Sequence, residues 1–225
     1  MAIQTWQRFP IWNNWSSVTR FLNIACMAFE SEHTRWNNSY TIKDPSKVIL
    51  ERVQLGKTFK IDLPIYLDFL QNQHLLCALI LQYSHGLVEQ HTKDVLTELH
   101  NRGKLSLLHL DPTGKNNNIS ELIENFTSTN RGIEIWGAKI LQCTNRKWSD
   151  IKEGMKGLVE VAIIRNAIAH GKPTITTRMV NRASKCNLQL LWGLGDEVTL
   201  NIQILEEYRS RLRSSSRVIA TGALT

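Results

Sequence analysis

The stretch Val161-Ala-Ile-Ile-Arg-Asn-Ala-Ile-Ala-His-Gly171 has the composition of a buried helix that ends at its glycine. A glycine directly after the last apolar residues is a common way to terminate a helix. Three strongly polar residues, Arg165, Asn166 and His170, lie within this apolar run. Each must be paired or exposed, because a buried polar group without a partner destabilises the fold. The stretch therefore predicts a core helix that carries a polar cluster at its carboxyl end.

Hydrophobic periodicity outside this stretch predicts a mainly α-helical protein. The longest periodic segment, residues 64–99, has apolar residues at the spacing of one face of a long helix. Pro64 suits the first turn of that helix. Ser149 or Asp150 is predicted to cap the helix that contains the polar cluster. Further helices are predicted over residues 14–33, after Ser120, over residues 134–141 and over residues 201–213.

Two segments predict short strand pairs. One lies within residues 47–62, and the other, within residues 187–200, is a small hairpin around Gly193-Leu-Gly195. The predicted organisation is an irregular N-terminal extension (residues 1–60), a helical domain (residues 64–216) and a mobile tail (residues 217–225). The helical domain has a core, residues 64–172, followed by the C-terminal hairpin and helix, residues 174–216.

Length and composition are those of a globular protein. The 225 residues are 42% hydrophobic and 21% charged, which excludes a disordered chain. A net charge of +7 is compatible with a polyanionic partner, although charge alone does not identify one. The N-terminus has no apolar signal core, and the longest apolar run, residues 75–81, is too short to cross a bilayer. We therefore expect a cytoplasmic protein that does not span a membrane.

The cysteines and histidines do not predict a metal site. The cysteines are far apart and form no Cys-x-x-Cys pair, and the histidines have no companions at ligand spacing. We expect reduced thiols in apolar surroundings, no metal and no cofactor. The four cysteines are Cys26, Cys77, Cys143 and Cys186.

The polar cluster contains the residue types that can cleave an RNA phosphodiester without a metal. Asn166 and His170 are four positions apart and so share one helix face, with Arg165 on its flank. Histidine transfers protons near neutral pH, arginine stabilises charge that develops on a phosphate, and asparagine can orient either group. The structural alternative is that the helix dipole favours basic residues in a last turn. The three residues taken together favour catalysis.

The segment Arg165-Asn166-Ala-Ile-Ala-His170-Gly171 resembles the signature of the HEPN superfamily, an arginine with a polar residue directly after it and a histidine a few positions further on. Members are all-helical bundles, and many are metal-independent ribonucleases. The resemblance covers residues 64–172. It implies a HEPN-like helical bundle in which Arg165 and His170 are the catalytic pair and Asn166 is the supporting polar residue.

The resemblance also implies partners and a further site residue. It implies RNA as the substrate, a homodimer with a composite active site, and a toxin–antitoxin or phage-defence role with an antitoxin or defence partner. Glu89 lies in the long helix, where the family often has an acidic residue. One alternative is that Glu89 forms a surface ion pair with Lys93. His85 and Glu89, four positions apart, could form a catalytic dyad, but a partly exposed polar stripe is the favoured interpretation of that pair.

Basic and aromatic residues outside the motif have two interpretations. Lys152, Lys156 and Lys172 are predicted to bind the RNA backbone. The C-terminal arginines could guide RNA as well, or could belong to a solvated helix face. The tryptophans of the first 36 residues could stack on bases, but core packing explains them equally well.

The sequence thus predicts a metal-independent endoribonuclease that leaves 2′,3′-cyclic phosphate and 5′-hydroxyl ends. One alternative is a non-catalytic HEPN module that binds RNA or a nucleotide and acts as a regulatory partner. Another is a structural protein whose polar cluster serves only a dimer interface.

Overall fold

The computed structural model describes residues 5–39, 44–105, 110–111, 118–130, 132–169 and 173–225. Within these ranges the chain is mainly helical and has a single two-stranded antiparallel sheet, which confirms the predicted fold class. The elements are α1 (Ile11–Asn37), β1 (Ile49–Gln54), β2 (Lys57–Asp62), α2 (Leu63–Gln71), α3 (His74–Asn101), α4 (Ile119–Glu124), α5 (Phe126–Thr129), α6 (Ile133–Cys143), α7 (Gly154–Ala169), α8 (Thr177–Lys185) and α9 (Ile202–Leu224).

Helix α3 lies at the centre of the fold. It packs along α9, and α1 and α7 also contact it. The residues that it buries repeat at helical spacing, because one face of α3 is covered along its whole length. They include five residues that the sequence pattern predicts for the inner face: Cys77, Leu81, Val88, Val95 and Leu99.

The predicted long helix is two helices, α2 and α3. Helix α2 ends at Gln71, and Asn72 leaves the helical conformation with φ −87° and ψ 86°. The Asn72 side chain accepts a hydrogen bond from the backbone N–H of His74 at 3.3 Å. Such local bonds compete with helix continuation, which explains the break. Pro64 lies in the first turn of α2, as predicted.

Two predicted helix starts are wrong. Asn118, not Ser120, caps α4, because its side chain accepts a hydrogen bond from the backbone N–H of Glu121 at 3.2 Å. Neither Ser149 nor Asp150 caps α7, which begins at Gly154.

The strand pair predicted within residues 47–62 is confirmed, and the hairpin predicted within residues 187–200 is wrong. Strands β1 and β2 are antiparallel, and their register pairs Ile49 with Asp62 at one end and Gln54 with Lys57 at the other. The second segment forms an isolated bridge between Thr174 and Glu197. Residues 195–198 hydrogen-bond to residues 173–175, and these bonds replace the pairing within a hairpin.

The last helix runs well past residue 213, so the predicted mobile tail is wrong for residues 217–224. The end of α9 is held by packing, since Ile219, Ala220 and Ala223 are buried. Gly222 lies so close to α6 that a Cβ atom there would be 2.4 Å from the carbonyl oxygen of Thr144. The segment was interpreted as a mobile tail, but its small residues allow this close approach.

The prediction of an irregular N-terminal extension is wrong for residues 11–37, because they form the long helix α1, which contributes to the core. Helix α1 buries Trp12 and Trp15. For these two tryptophans, core packing is therefore the correct one of the two interpretations. The guanidinium of Arg209, on α9, lies 5.0 Å from the centre of the Trp15 ring and donates a hydrogen bond to Thr19 at 2.7 Å. These contacts join the first and last helices of the chain.

A buried histidine makes the fold sensitive to acid. His91 is fully buried, its Nε2 lies 3.0 Å from the carbonyl oxygen of Ser216, and burial lowers its pKa from 6.5 to about 4. The unfolded chain therefore binds this proton first as the pH falls. We expect His91 to lower the free energy of unfolding by about 3 kcal/mol between about pH 6.5 and pH 4, measured by urea denaturation. The buried His85, whose pKa is lowered in the same way, adds a fall in the same pH range.

The matched comparison is between two substitutions on α3. His91→Leu is expected to reduce this pH dependence by about half, because the buried His85, whose pKa is lowered to about 4 as well, still remains to be protonated. His100→Leu, at an exposed position, is expected to leave it unchanged. Equal pH dependence in both variants would contradict the assignment to His91.

Candidate functional site

A polar cavity of about 550 Å³ lies between α3, α5, α6, α7 and α8. Hydroxyl groups of Thr127, Ser128 and Thr176 line it, and Trp136 and Met179 form part of its apolar wall. Among the described residues, the charged ones that line it are Glu89, Glu134, Arg165, Arg178 and Arg182. A cavity of this size and polarity can hold a nucleotide-sized anion.

Arg165 and Asn166 both line this cavity, as the helix pattern implies for residues on neighbouring faces of α7. Both side chains are half-buried, and Nη1 of Arg165 donates a hydrogen bond to Oδ1 of Asn166 at 3.0 Å. Nε of Arg165 is buried without a hydrogen-bond partner among the described residues. No carboxylate in the described ranges forms an ion pair with Arg165. Its guanidinium is therefore available to an anion that enters the cavity.

Glu89 and His85 lie one turn apart on α3 and line the same cavity as Arg165. Nδ1 of His85 is 3.4 Å from Oε1 of Glu89, but neither ring nitrogen forms a hydrogen bond with a described residue. Burial, together with Arg165 and Arg182, lowers the pKa of His85 from 6.5 to about 4. His85 is thus neutral near pH 7, and the pair is not an ion pair.

The electrostatic environment of Glu89 differs from that of a surface carboxylate. Burial raises the pKa of Glu89, and Arg165 and Lys93 act in the opposite direction. The ion pair that the sequence suggested between Glu89 and Lys93 is not formed. Lys93 instead binds Glu124 at 2.6 Å. Glu89 therefore belongs to the cavity, where a carboxylate with a raised pKa can exchange protons with a ligand.

A second arginine of the cavity is held rigidly. Arg182, on α8, donates two hydrogen bonds to the carboxylate of Glu134, at 3.0 and 2.5 Å. Gly132 has a φ of +96°, and a Cβ atom there would be 2.8 Å from the Glu134 carboxylate. A glycine is therefore required where Glu134 folds back to meet Arg182. This pair fixes α8 against the start of α6 and leaves Arg178 as the exposed arginine of the wall.

The structure describes only some of the predicted site residues. His170 and Lys172 lie outside the described residues. Lys152 and Lys156 are exposed at the opposite end of α7 and do not line the cavity. Lys156 is nine residues from Arg165, a distance of about 14 Å along the helix axis.

Other basic residues that could have guided RNA have structural contacts. Arg209 and Arg211 are almost completely buried, and Arg211 forms ion pairs with three glutamates. The Arg217 guanidinium lies 5.0 Å from the centre of the Trp6 ring. The arginines that do line the cavity, Arg178 and Arg182, come from a short helix that the sequence pattern did not reveal.

The described ranges contain no cluster of three or more histidine, cysteine, aspartate or glutamate residues that could hold a metal ion. No helix in those ranges has both the length and the apolar character needed to cross a bilayer. Comparisons with protein-family models, curated proteins and solved structures gave no significant match to this chain.

Proposed function

We propose that this protein is a metal-independent endoribonuclease of the HEPN type and that the cavity beside Arg165 is its active centre. The observation that carries the proposal is the guanidinium of Arg165, which has no carboxylate partner in the described ranges and stands on the wall of a polar cavity that also contains Glu89. An arginine without a carboxylate partner in such a place is suited to a phosphate, because its planar fork matches two phosphate oxygens.

The proposed reaction is an internal transfer within RNA. The 2′-oxygen attacks the adjacent phosphorus, the P–O2′ bond forms and the P–O5′ bond breaks. His170 accepts the proton of the 2′-hydroxyl, Arg165 stabilises the extra negative charge of the transition state, and Asn166 orients these groups. The products carry a 2′,3′-cyclic phosphate and a 5′-hydroxyl.

The biological role follows from the resemblance alone. As in HEPN proteins, we infer a homodimer in which two copies of the motif face each other, and a role in a toxin–antitoxin or phage-defence system. Sedimentation of the purified protein tests the dimer. A monomer that cleaves RNA at full rate would contradict the composite site but not the ribonuclease activity.

The chemistry is tested with end-labelled single-stranded RNA in EDTA. We expect cleavage with cyclic-phosphate ends, no cleavage of the same sequence with 2′-O-methyl groups, and no cleavage by His170→Ala. The matched control is His100→Ala, an exposed histidine on α3. A folded protein that binds this RNA but never cleaves it would favour the regulatory binding module instead.

The lysines at the far end of α7 are expected to contribute little to catalysis. Lys152 donates a hydrogen bond to Ser210 at 3.3 Å, and neither Lys152 nor Lys156 reaches the cavity. Replacing both with alanine is expected to weaken RNA binding by about ten-fold at most and to reduce its salt dependence, with kcat unchanged. A large loss of kcat in this variant would place the reacting phosphate elsewhere.

A further inference from the structure

His85 is a buried polar side chain of the cavity to which the proposed reaction assigns no function. It is 5% exposed, it lines the cavity, and both ring nitrogens are buried without a hydrogen-bond partner among the described residues. An unsatisfied buried imidazole costs stability. Its position beside Glu89 and the guanidinium of Arg165 points to a role when a ligand is bound.

We propose that His85 and Glu89 form a second proton-transfer pair of the cavity, which takes up a proton when a phosphodiester binds beside Arg165. Glu89, the partly exposed member, then gives that proton to the leaving 5′-oxygen. This inference rests on the proposed function. In it, the general acid comes from the same chain as Arg165.

The geometry allows the pair to share a proton. The 3.4 Å between Nδ1 of His85 and Oε1 of Glu89 closes to a hydrogen bond with a small rotation of the Glu89 side chain, which is 34% exposed. A carboxylate that bonds one imidazole nitrogen favours the protonated ring. Glu89 therefore connects the buried histidine to the open volume of the cavity.

The charges around the pair explain why ligand binding would trigger proton uptake. Besides burial, Arg165 on α7 and Arg182 on α8 both disfavour a charged His85. Two further charged groups line the cavity, Glu134 on α6 and Arg178 on α8. A phosphodiester at Arg165 offsets part of this positive potential, so that protonation of the pair and binding of the anion favour each other.

The proton balance of the reaction is complete with this pair. The 2′-hydroxyl loses its proton to His170, as proposed above, and the 2′-oxygen forms the new bond to phosphorus. The electron pair of the broken P–O5′ bond stays on the 5′-oxygen, which takes the proton that Glu89 holds. No oxidant, reductant or metal enters the balance.

Proton uptake is tested by NMR titration of the histidine ring signals. The probe is thymidylyl-(3′→5′)-thymidine, which has a phosphodiester but no 2′-hydroxyl and so cannot be cleaved. At saturating probe we expect the titration midpoint of His85 to rise by at least about one pH unit, equivalent to about ten-fold tighter binding to the protonated protein. His91 is the matched control, because it is equally buried on α3 but lies outside the cavity.

A rise confined to His85 supports the proposal. An unchanged His85 midpoint, an equal rise for His91, or no binding of the probe to folded protein overturns it. These results do not depend on RNA cleavage, so failure of this inference is distinguishable from failure of the proposed function.

The acid role of Glu89 is tested by changing the leaving group. Glu89→Gln is expected to lower cleavage of ordinary RNA by about 100-fold. The Glu89→Gln variant should cleave an RNA in which sulfur replaces the bridging 5′-oxygen nearly as fast as wild type does, because a thiolate leaves without a proton. Equal losses on both substrates would overturn the acid role and assign Glu89 a structural function.

Discussion

Replacing Arg165 with alanine is expected to lower kcat/KM for RNA cleavage by about 100-fold to 1,000-fold. The guanidinium stands on the cavity wall, donates to Asn166 and has no carboxylate partner in the described ranges. It can therefore place its remaining donors on the oxygens of a reacting phosphate. The loss should fall mainly on kcat, because the charge that Arg165 stabilises is greatest in the transition state.

Two further variants separate charge from geometry. Arg165→Lys keeps the positive charge but loses the planar fork, and we expect it to recover only a small part of the activity. Arg20→Ala removes an exposed arginine from α1 and should leave the activity at the wild-type level. An Arg165→Ala protein that is folded and fully active would exclude this residue from the active centre.

Replacing Arg211 with alanine is expected to lower the free energy of unfolding by about 3–5 kcal/mol, measured by urea denaturation. Arg211 is 7% exposed and contacts Glu160 at 2.7 Å and Glu153 at 2.6 Å. Glu160 is half-buried, with 12% of its side chain exposed, and accepts a hydrogen bond from Tyr208 at 3.0 Å. Without the guanidinium these carboxylates keep their charge in a site that no longer compensates it.

The matched control for this prediction is Arg213→Ala, two residues further along α9. Arg213 is exposed, so its removal should change stability by less than about 0.5 kcal/mol. Arg211→Met keeps most of the packing and should still be strongly destabilised, because the glutamates remain unpaired. Losses below about 1 kcal/mol in both Arg211 variants would mean that solvent compensates the glutamates.

The helical core was accessible from the sequence because it depends on local periodicity. The inner face of α3 follows the spacing of its apolar residues, and the strand pair β1–β2 follows its β-branched residues and turn. Arg165 and Asn166 line the same cavity, and their proximity was likewise implied because they are adjacent residues of α7. Each of these features is determined by residues a few positions apart.

Features that depend on distant residues were not accessible in this way. Residues 195–198 bind residues 173–175, and nothing in either segment alone specifies the other. The end of α9 is fixed by the close approach of Gly222 to Thr144, a contact between helices far apart in sequence. Arg182 is directed to the cavity by Glu134, which lies 48 residues away.

Basic residues near the C-terminus show why charge alone gave an incomplete site. Arg209 and Arg211 resemble a surface that attracts RNA, but their guanidinium groups bind an aromatic ring and carboxylates inside the fold. His85 shows the reverse error, since a residue interpreted as part of a partly exposed polar stripe is buried in the wall of the cavity. Burial, which the sequence pattern did not resolve here, decides both cases.

The central claim is that RNA is cleaved in the cavity beside Arg165, and reversible blocking of that cavity tests it most directly. Ser128 is exposed on the cavity wall, so Ser128→Cys can be modified with a bulky reagent that forms a mixed disulfide. Wild type treated in the same way controls for the native cysteines. We expect the modified variant to lose RNA cleavage in EDTA and to regain it when the disulfide is reduced. Full cleavage while the cavity is blocked, or no cleavage by the untreated proteins, would contradict the claim.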